Sequence, residues 1–281
     1  MPKLESTKRL LRCWFTSIPF FIALGLILGA VIAVPIVPKP RIAVIAVSGT
    51  IMGQNYADEI IGRLKDARDD NTIKAVVLQI DSPGGGVSVT EQIYLDLLRL
   101  RAEKPVVASI GATGASGGYY IALASNFIYA QPTSQIGSIG AWSNLPSSEK
   151  LDEDTLTTGL FKASTGSKTK ATAKLEMVRQ EFVSAVVHQR GNRLKMAEEQ
   201  LSLAELYLGV EGLRYGLIDG IGTVTTAIDK AASLAGVRNY EVVELYVSLP
   251  LPFFFGFSTM EDLKSQTGLT PTYYYLYFES E

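Results

Sequence analysis

Apolar residues in this chain gather in short unbroken runs, separated by longer stretches where they recur with helical spacing. IAVIAVS at 42–48, KAVVLQI at 74–80 and PVVASI at 105–110 are rich in β-branched residues and have the length of strands. Between them, 55–69 and 88–101 read as helices, the second with Ile93, Leu95, Leu97, Leu98 and Leu100 on a broad apolar face. Such alternation predicts βαβ units and a largely parallel sheet. Strands apolar at successive positions are buried on both faces, so helices are expected on each side. A helix at 172–193 would place Leu175, Val178, Phe182, Ala185 and Val186 on one stripe, and a helix at 223–235 precedes the strand-like YEVVELYV at 240–247. The expected architecture is a single layered α/β domain.

One block departs from this pattern. Trp14 to Val37 contains no charged residue and is long enough to cross a bilayer core of about 30 Å as a helix. Lys3, Lys8, Arg9 and Arg12 precede it against a single Glu5, while only Lys39 and Arg41 come closely after it. That bias predicts a cytoplasmic N-terminus at 1–13, a transmembrane anchor at 14–37 and an extracytoplasmic domain at 42–247. A cleaved signal peptide fits less well, because the apolar stretch exceeds an h-region of about 7–15 residues and lacks an A-x-A site at its end. Pro35, Pro38 and Pro40 form a stiff exit from the membrane. The C-terminal tail, 248–281, holds LPLPFFFGFS at 249–258 and TYYYLYFESE at 272–281, each open to core packing or to contact with a partner or the membrane surface.

The chain of 281 residues can bury a sizeable core. A net charge of −2 without a basic run argues against a nucleic-acid surface. The single cysteine, Cys13, excludes an internal disulfide, and the single histidine, His188, excludes a His-rich metal site. No metal and no cofactor is expected.

Two glycine-rich turns come directly after strands: DSPGGG at 81–86 and GATGASGGYY at 111–120. Both fall at the C-terminal ends of parallel strands, where open α/β sheets place their sites. Gly84, Gly85 and Gly86 let the backbone approach a ligand and aim N–H groups at a developing negative charge. Neither the G-x-x-x-x-G-K-[ST] nor the G-x-G-x-x-G spacing is present, which argues against a nucleotide. Gly114-Ala115-Ser116-Gly117-Gly118 fits G-x-S-x-G, with IALA at 121–124 as the body of a helix starting near Ser116, which leaves the Gly117 N–H available to an oxyanion. A serine between glycines is also a common helix cap.

A serine hydroxyl needs a proton acceptor. His188 lies opposite the Phe182 and Val186 stripe of its helix and reads as a solvated surface residue. A lysine can serve once burial disfavours its ammonium form. Lys162, Lys168, Lys170 and Lys174 cluster in FKASTGSKTKATAK, and composition alone does not choose among them.

DSPGGG, GATGASGGYYIALAS at 111–125, the A-x-P-x-S-x-x-GSIG stretch from Ala130 to Gly140 and GLIDGIG at 216–222 together closely resemble the signal peptide peptidase A family of membrane-bound serine proteases, within the ClpP/crotonase superfamily. The resemblance covers about 42–247. It implies a ClpP/crotonase-like layered βαβ domain in which Ser116 is the nucleophile, Gly85 and Gly117 supply the oxyanion N–H groups, and Ser138 supports the catalytic lysine. The family's lysine falls in a G-x-x-K-D segment roughly 50 residues after the serine, and Lys168 lies 52 positions after Ser116. Here the segment reads Gly166-Ser167-Lys168-Thr169-Lys170 with no aspartate, so Lys170 stands as the alternative base. The resemblance also implies homo-oligomers and peptide substrates: cleaved signal peptides and other unfolded membrane or secreted peptides. Two other readings are a catalytically inactive membrane scaffold of the same fold and a crotonase-type acyl-CoA enzyme. The anchor, the outward topology and the Ser116 turn count against the second.

Overall fold

The apolar runs become neighbouring strands of one sheet. The computed structural model describes residues 19, 21–29, 38–144, 158, 167–245 and 274–276, and it divides into two compact units, 1–39 and 40–281. In the first unit, α1 (21–29) is helical, with Phe21, Ile22, Leu26 and Ile27 exposed. Much of the expected 14–37 span lies outside the described residues. Among the described residues, no helix is long and apolar enough to cross a membrane.

In the second unit, β1 (Arg41–Ser48) pairs in parallel with β2 (Ile73–Ser82) and with β9 (Glu241–Leu245), and β2 pairs in parallel with β4 (Val106–Ala115). The sheet order is β7-β6-β4-β2-β1-β9. Strand β5 (Phe127–Ala130) also pairs with β4, and β8 (Gly220–Ile221) pairs with β5. Among the described strands of this sheet, only β7 (Leu206–Leu208), on the edge beside β6 (Gln135–Gly137), runs antiparallel. Strand alternation sends Ile42, Val44, Ala75, Val77 and Val107 to one face, against Ala227, Ala231 and Ala232 of α8 (Val224–Leu234). Those alanines let the helix approach closely. Ala43, Ile45, Val47, Val76, Leu78 and Ile80 point to the other face, with α2 (Gln54–Asp69) and α3 (Val87–Glu103). The expected layered α/β arrangement is therefore present. Each Val, Ile or Leu taken fully out of water stabilises it by about 1.5–3 kcal/mol.

Strand β4 reaches further than its apolar run, which ends at Ile110. Val107–Ile110 pairs with β5, whereas Thr113–Ala115 pairs with β6. The register against β2 jumps from Ile80↔Ile110 to Ser82↔Gly114, so β4 bulges there, and the Asp81 carboxylate accepts the Thr113 N–H at 2.9 Å. A bulge bends its strand and re-aims the residues beyond it. In β4 those residues lead into Ser116 and the short helix α4 (Gly117–Ala122).

Helix α5 (Lys168–Arg190) begins and ends earlier than the predicted 172–193. Its buried residues are Phe182, Val183, Val186 and Arg190, all in the C-terminal half. Leu175 and Val178, expected on the packed stripe, are only half-buried, and no residue from Lys168 to Glu181 is buried. The helix is succeeded by a 3-10 turn (Gly191–Arg193) and by α6 (Glu198–Leu201) and α7 (Gly209–Tyr215). A separate two-stranded sheet pairs β3 (Gly84–Gly86) with β10 (Tyr274–Leu276), drawn from the C-terminal tail. The FFF run at 253–255 lies outside the described residues.

Candidate active site

Ser116 joins β4 to α4 in a backbone conformation that side chains rarely adopt, with φ 51° and ψ −117°. Such geometry costs roughly 1–3 kcal/mol and persists only where the surroundings over-determine it. They do so here. The Ser116 N–H donates to the Gly137 carbonyl at 2.8 Å, the Ser116 carbonyl accepts the Tyr120 N–H at 2.9 Å, and every residue of α4 is buried. Ser116 itself is 1% exposed, and its Oγ has no hydrogen-bond partner among the described residues. An unpaired buried hydroxyl costs about 1–3 kcal/mol, and a second unfavourable feature on the same residue points to function. As the first residue of α4, Gly117 has an N–H with no intrahelical acceptor.

The other glycine turn lies directly against this one. Helix α4 packs on β3. A Cβ on Gly118 would sit 2.6 Å from the Ser82 carbonyl oxygen, so only glycine permits that approach. A Cβ on Gly85 would land 1.9 Å from the Ile51 carbonyl oxygen, which explains why β3 is built from glycine despite the poor strand propensity of that residue. Ser82, which sequence reasoning passed over, connects these pieces. Fully buried, it donates from Oγ to the Gly49 carbonyl at 2.6 Å and accepts the Gly84 N–H at 3.1 Å. Its hydroxyl thus sets the turn that orients Gly85. A serine at the end of an otherwise apolar buried strand was the signal available.

Ser138 is brought to the same place, since the carbonyl of its neighbour Gly137 accepts the Ser116 N–H. It also has φ 51°, and its own N–H donates to the Glu205 carbonyl at 2.8 Å. The lysines differ. Lys168 and Lys170 occupy the first turn of α5, both exposed, and neither is hydrogen-bonded to Ser116 Oγ. Helix α5 reaches α4 where Phe182 meets Tyr120 edge-on at 5.0 Å, and Lys168 is about 21 Å along the helix from Phe182 at 1.5 Å per residue. His188 is exposed, as its place on the helix predicts. Among the described residues no cluster of His, Cys, Asp and Glu could hold a metal ion.

A second cluster missed in the sequence fixes α4 and α5 to one segment. The buried Tyr119 hydroxyl donates to the Leu217 carbonyl at 2.7 Å. Arg190, from the end of α5, donates to the Gly216 carbonyl at 2.7 Å and forks onto both oxygens of Asp219 at 2.8 and 3.0 Å. Asp219 also accepts the Ile128 N–H at 2.8 Å and pairs with Arg193. Burial opposes ionisation of Asp219, but the hydrogen bonds and charge of Arg190, helped by the Ile128 N–H and Arg193, outweigh it and hold the carboxyl below its usual range. GLIDGIG is therefore the common anchor of the helix that Ser116 caps and the helix that carries Lys168.

In sequence and in fold the chain is similar to known proteins. Among curated proteins, Protease 4 of Salmonella typhi is 31% identical over 221 residues, covering 72% of this chain and 36% of its own length. The putative signal peptide peptidase SppA of Enterococcus faecium is 28% identical over 196 residues, covering 65% of this chain and 57% of that protein. The chain thus spans about a third of the length of Protease 4. A mutant of the 1510-N membrane-bound stomatin-specific protease, solved with a substrate peptide, matches with a TM-score of 0.51 at 18% identity, over 76% of this chain and 95% of that one, which shows a common fold. The Clp protease model matches residues 40–139, and the model described as Peptidase family S49 matches residues 99–238. The second match takes in Ser116, Lys168 and the 216–219 anchor, and with the 31% identity to Protease 4 it decides the assignment: the chain belongs to peptidase family S49.

Proposed function

We propose that the chain is a serine endopeptidase in which Ser116 attacks the peptide carbonyl and Lys168 is the general base. The observation that carries this reading is the buried, unpartnered Ser116 Oγ on a strained turn, with the Gly117 N–H beside it and β3 packed against the same helix. Neutral Lys168 takes the Ser116 proton as Oγ bonds to the carbonyl carbon. The Gly85 and Gly117 N–H groups receive the oxyanion, the lysine returns the proton to the departing amine, and water hydrolyses the resulting ester. Ser138 holds the lysine. Lys170 is the alternative base.

A lysine works as a base when desolvation disfavours its charge. The exposed first turn of α5 therefore needs a cover, and a second copy of the chain supplies it in this reading, which makes the working form a homo-oligomer. Residues 14–37 anchor the protein as a single pass in the cell membrane, with the N-terminus cytoplasmic and the catalytic domain outside. The exposed apolar side chains of α1 support a lipid-facing role. Substrates are extended apolar peptides, signal peptides above all, as the name of the Enterococcus relative suggests for that protein.

Alanine at Ser116 or at Lys168 abolishes peptide hydrolysis with the thermal unfolding midpoint retained. Full activity of Lys168→Ala beside an inactive Lys170→Ala would assign the base to Lys170. The exposure of Lys168 favours one rival, an inactive scaffold, and labelling of Ser116 by a fluorophosphonate would argue strongly against it.

A further inference from the structure

Strand β4 changes neighbours at the point where it bends. Residues 107–110 pair with β5 and 113–115 with β6, while against β2 the step from Ile80 to Ser82 faces the longer step from Ile110 to Gly114. The inserted residues drop out of the ladder, and their backbone groups need partners from elsewhere. Two side chains supply them, from opposite sides of the strand. Asp81 of β2 accepts the Thr113 N–H at 2.9 Å. On the β5 and β6 side, the Ser134 hydroxyl donates to the Gly111 carbonyl, with the Ile110 carbonyl 3.4 Å away. Ser134 is 1% exposed and lies in the connection between β5 and β6, where its Oγ also accepts the Gln131 N–H at 2.9 Å. It immediately precedes β6, whose last residue, Gly137, provides the carbonyl that accepts the Ser116 N–H at 2.8 Å. One buried hydroxyl thus ties the bend in the strand that leads into Ser116 to the start of the strand from which Ser116 is hung.

We propose that Ser134 is a positioning residue for the nucleophile: with Asp81 as its counterpart across β4, it fixes where the strand bends and so sets the direction of Ser116 Oγ. The inference rests on the peptidase reading of Ser116. The segment between the bend and Ser116 has little to hold it by itself, because glycine is a poor strand former and GATGA contains two. The bend is also tight. A Cβ on Gly114 would lie 2.7 Å from Cγ2 of Ile110, so the chain folds back onto its own strand there. Beyond it, the strained backbone of Ser116 at φ 51° persists only while its neighbours hold their places. Removal of the Ser134 hydroxyl leaves the Gly111 carbonyl without that donor and lets β4 and β6 shift against each other. A displacement of about 1 Å at a reacting atom costs roughly a hundredfold in rate. Ser134 is too buried to touch a substrate, so its loss acts on turnover and not on binding.

Ser134→Ala in the full-length chain removes the donor at nearly constant volume, and Ser134→Thr returns it. In Ser134→Ala, kcat for cleavage of an unstructured apolar peptide and the rate of fluorophosphonate labelling of Ser116 should both fall by about tenfold to a hundredfold, while KM changes by less than about twofold. Ser134→Thr should restore both rates towards the wild type. A hydroxyl that served stability alone would lower the unfolding midpoint and leave kcat per folded chain unchanged, so rates taken well below the midpoint separate the two roles. Asp81→Ala and Asp81→Asn repeat the test from the exposed side of the bend. The alanine should lose turnover, and the asparagine, whose amide oxygen still accepts the Thr113 N–H, should keep most of it. That pair decides the matter if a Ser134 variant does not fold. Wild-type kcat and labelling in the deciding alanine variant, or a raised KM with kcat unchanged, would overturn the positioning role and leave the peptidase reading standing. Absence of both cleavage and labelling in the wild-type chain would overturn the peptidase reading and this inference with it.

Discussion

Ser116 and Lys168 are held very differently. Ser116 sits in a turn fixed by backbone bonds to Gly137 and Tyr120, capped onto a helix of wholly buried residues, with Ser82 locking the adjacent glycine strand. Lys168 starts a helix in which none of the first fourteen residues, 168–181, is fully buried. In the Ser-Lys reading the nucleophile and its oxyanion donors are thus built by the core of one chain, while the base lies in the exposed first turn of α5. In the Ser-Lys reading this separates folding from activation. The serine half is complete on folding, and the lysine half gains its low-dielectric surroundings only when something packs on the first turns of α5.

The largest effect that would break this contrast is at Gly85. Gly85→Ala drives a methyl into the Ile51 carbonyl and displaces the N–H assigned to the oxyanion, and kcat for peptide hydrolysis should fall by about a hundredfold or more. An alanine variant with normal turnover would place that donor elsewhere. On stability, Phe182→Ala, at the contact with Tyr120, should cost about 3–5 kcal/mol in urea unfolding. Leu175→Ala, on the first half of the same helix, should cost less than about 1 kcal/mol. Similar losses would show that the two halves of α5 are equally packed. The smallest effect concerns acid. Asp219 has a folded pKa below that of the unfolded chain, so its contribution to stability is present above the ordinary carboxylate range of about 4 and is lost as pH falls through the folded value. Asp219→Asn should flatten that part of the pH dependence of unfolding, and an unchanged acid slope would contradict the role assigned to the Arg190 pair.

The same contrast marks what could be read in the sequence. Strands β1, β2 and β4 and helices α2, α3 and α8 were visible because each is long enough for its period to repeat. Strands β5 to β8 are two to four residues long, too short for alternation to register. GATGA looked like a turn, yet it continues β4, because pairing with β6 and the Asp81 bond to Thr113 outweigh glycine's weak strand propensity. At the candidate site, the turn at Ser116 was legible from local signals: the G-x-S-x-G spacing of Gly114, Ser116 and Gly118 and a helix directly after it. Arg190 and Asp219 were not, although a charged pair within apolar surroundings can be sought in any sequence; their partnership spans 29 positions and exists only once α5 and the GLIDG segment meet. The predicted stripe on α5 was right at Phe182 and Val186, which are buried, and at Val178 and Ala185, which pack half-buried against the core, and overextended only at Leu175, since spacing reveals which face is apolar but not how far another element reaches along it.

The central claim is that a lysine at the start of α5 activates Ser116. The most direct measurement is the rate of fluorophosphonate labelling of Ser116 in the wild-type, Lys168→Ala and Lys170→Ala chains, with mass spectrometry locating the adduct. The account predicts labelling at Ser116 in the wild type, retention in Lys170→Ala and loss in Lys168→Ala; labelling that is the same in all three chains, or an adduct on another residue, would contradict it.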